Sequence, residues 1–196
     1  MPKPQLTRAD LMPLERYHAE RRQFRQQVLA HKAARQVALG GHVNLVFEDA
    51  LTIQYQIQEM LRVERIFESE GIQAELDAYT PLIPDGTNWK ATMMIEYEDV
   101  EERRVALMQL VGIEDRVWTR VGDGPTLFAI ADEDLDRSRA DKTAAVHFLR
   151  FQLPPAQVAA AKSGDVIAFG IDHQAYQVTL EILSNATRSS LVGDLA

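Results

Sequence analysis

Two groups of side chains in this chain could carry chemistry: carboxylates on a helical stretch and histidines near strand ends. The helical stretch is Leu51–Glu70, LTIQYQIQEMLRVERIFESE, and the carboxylates within its apolar sectors are Glu59 and Glu64. Five residues apart on a helix, they point about 140° away from each other. They cannot share one metal ion without a third element. A di-iron bundle needs Glu-x-x-His pairs, and Glu15 with His18 is the single such pair, which is insufficient. The expected arrangement is a buried ionic network, with Glu59 paired to Arg62 and Glu64 to an arginine elsewhere. The alternative is a ligand site made of Glu59, Arg62 and Glu64.

The five histidines are His18, His31, His42, His147 and His173, and no two stand at i, i+2 or i, i+4. A zinc or iron site would have to gather His147, His173 and Asp172 from different strands. Otherwise each is a core or turn histidine holding a backbone carbonyl. In the turn before Tyr176, Asp172-His173 could also present a general acid. The loop over 81–90, PLIPDGTNWK, is a further candidate, because loops between rigid elements often carry function. Trp89 and Lys90 at its exit could stack on and charge-pair with a ligand, or Trp89 could fill the core at a rigid corner. There is no phosphate loop, dinucleotide fingerprint, nucleophile elbow or HExxH. The absence of cysteine excludes disulfides, thiolate nucleophiles and cysteine-held metal or iron–sulfur sites. No cofactor is called for.

The elements that must hold these residues follow from pattern. Thr7–Asp10 can open a short helical turn, and Pro13 suits the first turn of a helix running to about Ala34. Arg35–Leu39 and Val43–Phe47 flank a glycine pair and read as a hairpin. Asp49 can cap the helix that follows. In Leu51–Glu70 the apolar residues cover well over half the circumference, so a buried, central helix is expected, ended by Gly71. Ile72–Tyr79 reads as a short helix and Trp89–Tyr97 as an alternating strand. Asp99 caps a helix over Val100–Val111. Ile113–Val121 and Thr126–Ala131 read as a second hairpin, and Asp132–Asp141 as a charged loop. Lys142–Leu153 is apolar on both faces and reads as an internal strand. Pro155–Lys162 is a short helix, Asp165–Ile171 and Tyr176–Leu183 are strands, and the tail from Ser184 is helical or frayed. Helical and mixed first, strand-rich later, the order predicts an α+β fold with a mostly antiparallel sheet. One domain over 1–196 is expected, with a soft division near 112 between a helical/mixed part (1–112) and a strand-rich part (113–196).

The chain has 196 residues, 46% hydrophobic, with a net charge of -8 and a pI near 5.1. That supports one sizeable core and ordinary solubility. An acidic chain repels nucleic acid. Its one basic region, Arg16 to Arg35, is mixed with Glu15 and Glu20 and reads as a solvated helix face. Neither a membrane span nor a secretory signal is expected, so the expected location is cytoplasmic.

The stretches LTIQYQIQEMLRVERIFESEGIQAELDAYTPLIPDGTNWKATMMIEYEDVEERR and FAIADEDLDRSRADKTAAVHFLRF, with the later DHQAY, resemble an uncharacterised bacterial family known as domain of unknown function 3501. The resemblance covers nearly the whole chain and implies no activity and no catalytic residue. It implies a setting near redox or peroxide metabolism. The leading expectation is therefore an accessory or interaction protein, with a redox protein or a second copy of the chain as partner. A small-molecule or metal-binding protein comes second, using the central helix, the 81–90 loop, His147 and His173. An enzyme of unrecognised type, using Glu59, Arg62 and Glu64, comes third.

Overall fold

Strand parity decides the architecture. In Gln36–Leu39 (β1), Val43–Phe47 (β2), Asn88–Ile95 (β3) and Val146–Gln152 (β7), every odd-numbered side chain is buried: Val37, Leu39, Val43, Leu45, Phe47, Trp89, Ala91, Met93, Ile95, His147, Leu149 and Phe151. A strand sends successive side chains to opposite faces, so these define one apolar sheet face. In the computed structural model, which describes residues 5–133, 137–138 and 141–196, that face packs on a second sheet.

The first sheet has five strands in the order β1-β2-β3-β7-β6, where β6 is Ile130–Ala131. The second has four, in the order β5-β4-β8-β9: Leu127–Phe128, Val117–Val121, Ile167–His173 and Tyr176–Leu180. All the pairings are antiparallel. Between the sheets Phe169 stands 5.2 Å from Phe47, 5.4 Å from Phe151 and 5.9 Å from Trp89, ring centre to ring centre. Offset and edge-on aromatic contacts at this range add to the burial energy of the rings themselves. On the far side of the second sheet Trp118 lies over Gly170; a Cβ there would come within 2.3 Å of Cζ2 of the indole.

Six α-helices are present among the described residues: Leu14–Ala33 (α1), Ala50–Glu64 (α2), Ser69–Tyr79 (α3), Val100–Gln109 (α4), Pro155–Ser163 (α5) and Asn185–Gly193 (α6). None is long and apolar enough to cross a membrane. The capping residues do what their chemistry allows. Asp49 accepts from the Thr52 N–H, and Asp99 from the N–H groups of Glu101 and Glu102. Arg35 is 1% exposed. It donates to the carbonyls of Phe47 and Glu48 at 3.0 Å each and to Asp194 at 2.6 Å, fastening the C-terminal helix to the first hairpin.

The α+β class and the antiparallel pairing agree with the sequence. The helix expected over 51–70 differs. It ends at Glu64, where Arg65 turns left-handed with φ 58°, and Gly71 lies inside α3. Helix α2 is central within the helical layer, packed on α1 and α3, but only one face of it is buried, through Ile53, Ile57, Gln58 and Leu61. Val63 and Phe67, counted as core, are 63% and 61% exposed. The largest core forms between the sheets, where the aromatic residues gather. The second hairpin also differs. Ile113–Arg116 is a 3-10 turn rather than strand, and the return strand divides, β5 pairing with β4 and β6 with β7 in the other sheet. The charged loop expected over Asp132–Asp141 lies partly outside the described residues, as does the extreme N-terminus.

Candidate metal centre

Three separate segments meet where β6 ends against β7. The first is the 3-10 turn Ile113–Arg116. Gly112 enters it with φ 82°, a left-handed conformation that glycine adopts without penalty. Ile113 is fully buried and anchors the turn, which carries Glu114 inward to 6% exposure. The second segment is Asp132, one residue past β6, itself left-handed with φ 47°. Aspartate is among the few residues that tolerate this region. Its backbone N–H donates to the Phe148 carbonyl at 2.8 Å, and its Oδ1 accepts from the Phe148 N–H at 3.0 Å. The side chain thus takes the place of a ladder carbonyl and leaves Oδ2 pointing at β7. The third segment is His147 on β7, on the inward face and fully buried.

His147 Nδ1 lies 2.6 Å from Asp132 Oδ2. Its Nε2 lies 2.8 Å from Thr143 Oγ1, 3.1 Å from the Ala144 carbonyl and 3.9 Å from Glu114 Oε2. Thr143 Oγ1 also lies 3.2 Å from Glu114 Oε2, and Ser138 Oγ hydrogen-bonds Glu114 Oε1. Arg137 donates to Asp132 Oδ1 at 3.2 Å while its guanidinium lies over the Phe148 ring, 4.6 Å from the centroid. The single Thr143 hydroxyl hydrogen faces both Glu114 and the imidazole, and Ser138 Oγ lies 3.0 Å from Thr143 Oγ1. Glu114, Asp132 and His147 each offer a ligand atom, all within 4.8 Å of one another. Donors about 2.0–2.2 Å from a central ion span at most about 4.4 Å, so an ion would draw the group in by a few tenths of an ångström.

The residues singled out in the sequence are placed as follows. His147 belongs to this cluster. His173 does not: it ends β8 opposite Tyr176, with Nε2 3.1 Å from the Val111 carbonyl and Nδ1 accepting from the Ala175 N–H at 3.2 Å. Glu59 accepts from Arg21 through both oxygens at 2.7 Å, from Tyr17 at 2.5 Å and from Arg62 at 3.4 Å. The Arg21 guanidinium, against the effect of partial burial, holds the Glu59 carboxyl at about 2. Burial, reinforced by the hydrogen bond to Glu59, pushes the Tyr17 hydroxyl up. Glu64 is exposed and does not join this network. Trp89 is fully buried and donates from Nε1 to the Leu191 carbonyl at 2.8 Å, so it fills the core and binds α6. Lys90 donates to the Pro81 carbonyl and lines a cavity on the outer face of the first sheet.

Glu114, Asp132 and Thr143 were not among the sequence candidates. Glu114 fell in a run read as strand, and Asp132 in a run of charges read as solvated loop. The available signal was Gly112 followed at once by Ile-Glu-Asp, which stops α4 without starting a clean strand alternation.

Comparison with known proteins agrees with the resemblance noted above. No curated protein matches the chain. A solved structure from Burkholderia pseudomallei K96243, described as a novel protein of unknown function, is 53% identical, covers 98% of this chain and 100% of its own, and superposes with a TM-score of 0.93. Neither comparison assigns an activity, and the redox setting implied by the resemblance has no support in them. Residues 5–195 match the model of the family described as protein of unknown function DUF3501, and the chain belongs to that family.

Proposed function

We propose that this protein binds a divalent metal ion through Glu114, Asp132 and His147. One observation carries the reading. Two carboxylates and an imidazole, from three segments far apart in sequence, converge with side chains no more than 8% exposed. Buried carboxylates are unfavourable unless a cation or hydrogen bonds compensate them, and Glu114 is met here by the neutral hydroxyls of Ser138 and Thr143. The oxygen, oxygen and nitrogen donor set suits manganese, iron or zinc better than copper(I), which prefers sulfur. Thr143 and Ser138 would orient the ligands from outside, as partners of metal-binding residues commonly do.

The test is direct. Purified protein is stripped with chelator, equilibrated with Mn(II), Fe(II) or Zn(II) in turn, and passed through a desalting column. One of the three should be retained stoichiometrically and raise the melting temperature. Glu114→Gln and His147→Ala should each abolish retention. Substoichiometric retention of every ion, or full retention by either variant, would refute the reading.

A second reading, a protein partner or a second copy of the chain, is supported by α4. Its Val100, Val105 and Met108 are between 44% and 61% exposed, and apolar surface of this kind often marks an interaction face. Sedimentation equilibrium of the wild type against Val105→Asp tests self-association: an unchanged monomer in both sinks the homodimer. A cytoplasmic location is part of the same proposal, supported by the absence of cysteine.

A further inference from the structure

The helical layer does not seal the outer face of the five-stranded sheet. Beneath the 3-10 turn Thr80–Leu82 lies a cavity of about 190 Å³, lined among others by Glu48, Pro81, Leu82, Lys90, Phe148 and Arg150. That is room for a small organic molecule.

Glu48 is the unusual member. It is 8% exposed. Its root is fixed, since its N–H donates to the Lys90 carbonyl at 2.8 Å and its own carbonyl accepts from Arg35 at 3.0 Å. One carboxylate oxygen accepts from Thr52 Oγ1 at 2.6 Å and the other from Thr92 Oγ1 at 2.7 Å. Both donors are neutral hydroxyls. Among the described residues Glu48 makes no ion pair with lysine, arginine or histidine, unlike Glu59, Asp49 or Asp194. Two hydroxyl bonds offset only part of the desolvation of a buried carboxylate. The cations lining the same cavity are directed elsewhere. Arg150 gives a two-pronged bond to Glu133 at 2.7 and 2.8 Å and a third to Gln152 at 2.6 Å, and Lys90 reaches the Pro81 carbonyl. Pro81, Leu82 and Phe148 supply apolar wall.

We propose that this cavity binds a small organic ammonium ion, its charged head on Glu48 and its hydrocarbon stem against Pro81, Leu82 and Phe148. The inference is independent of the metal reading, because Glu48 lies on the opposite face of the sheet from His147. The ammonium could belong to a simple amine or to an amino acid, and the stem is common to both.

The experiment is calorimetric titration of the full chain with three probes of equal stem: pentylamine, 5-aminopentanoate and pentanoate. Saturable millimolar or tighter binding of at least one amine is expected, with pentanoate weakest. Tighter 5-aminopentanoate points to an amino acid and tighter pentylamine to a simple amine. Glu48→Gln should weaken the amine by about tenfold or more, the loss expected of a charged hydrogen bond. Leu82→Trp, which fills the cavity, should do the same. No saturable binding of either amine, stronger binding of pentanoate, or unchanged affinity in a folded Leu82→Trp protein would overturn the proposal.

Discussion

Replacing Glu59 by glutamine should make the stability of this protein less dependent on acid, and the structure gives the size of the effect. Glu59 on α2 is tied to α1 through Arg21 and Tyr17, and to Arg62 within its own helix. Its carboxyl is held at about 2 against an ordinary value of 4.5, foremost by the Arg21 guanidinium. At about 1.4 kcal/mol per pH unit that difference is worth about 3 kcal/mol at neutral pH. The Arg21 side chain is 35% exposed, and solvent screening reduces the figure to about 1.5 kcal/mol. Because the folded-state value lies below the unfolded one, the contribution is present above about pH 4.5 and disappears as pH falls toward 2. Urea unfolding of wild type and Glu59→Gln at pH 7 and pH 3.5 measures it. The variant should be less stable by about 1.5 kcal/mol at pH 7, and that gap should shrink by about 0.7 kcal/mol at pH 3.5. A gap below about 0.5 kcal/mol at pH 7, or one that does not change with pH, would refute the assignment of Glu59 as an ionic tie.

Arg35→Met should be more damaging, by about 3–5 kcal/mol in the same assay, because it leaves the largely buried Asp194 carboxylate without its guanidinium and the Phe47 and Glu48 carbonyls without a donor, while Asp49 loses Arg35 and keeps His31; a loss under 1 kcal/mol would contradict the reading of Arg35 as the hub. Asp194→Asn should behave differently with pH. Burial, only partly opposed by Arg35, raises the Asp194 carboxyl, so its contribution is present below the ordinary carboxylate range and is lost as pH rises through the raised folded-state value. The variant's deficit should therefore shrink between pH 4 and pH 7, and a growing deficit would reverse the sign of the argument. Gly170→Ala should lower the melting temperature by roughly 3–10 °C, since its Cβ would meet Trp118 Cζ2 at 2.3 Å and the Val178 carbonyl at 2.6 Å; an unchanged melting temperature would mean the indole moves freely.

Much of this architecture is written in local patterns. The hairpin at the glycine pair, the caps at Asp49 and Asp99, the alternation in β3 and the internal position of β7 all follow from short-range chemistry. Each depends on residues a few positions apart, and the structure agrees with each. The extent of α2 was not legible in the same way. A helix wheel counts Val63 and Phe67 as apolar regardless of what they face, and only the packing of α1 and α3 shows that they face solvent.

The candidate centre divides along the same line. His147 was visible as a histidine in an apolar strand, and the α+β class with antiparallel pairing was fixed by order and periodicity alone. Which residues meet His147 was not, since Glu114 and Asp132 reach it from 33 and 15 positions away. Their meeting depends on the return strand dividing between the two sheets, and on a left-handed Asp132 turning its side chain into the ladder. Both are choices made by the two sheets as they pack, because they minimise unpaired buried groups over the whole molecule. The sequence by itself determined the elements and the ligand types available. Only the tertiary structure decided which carboxylates stand beside the imidazole.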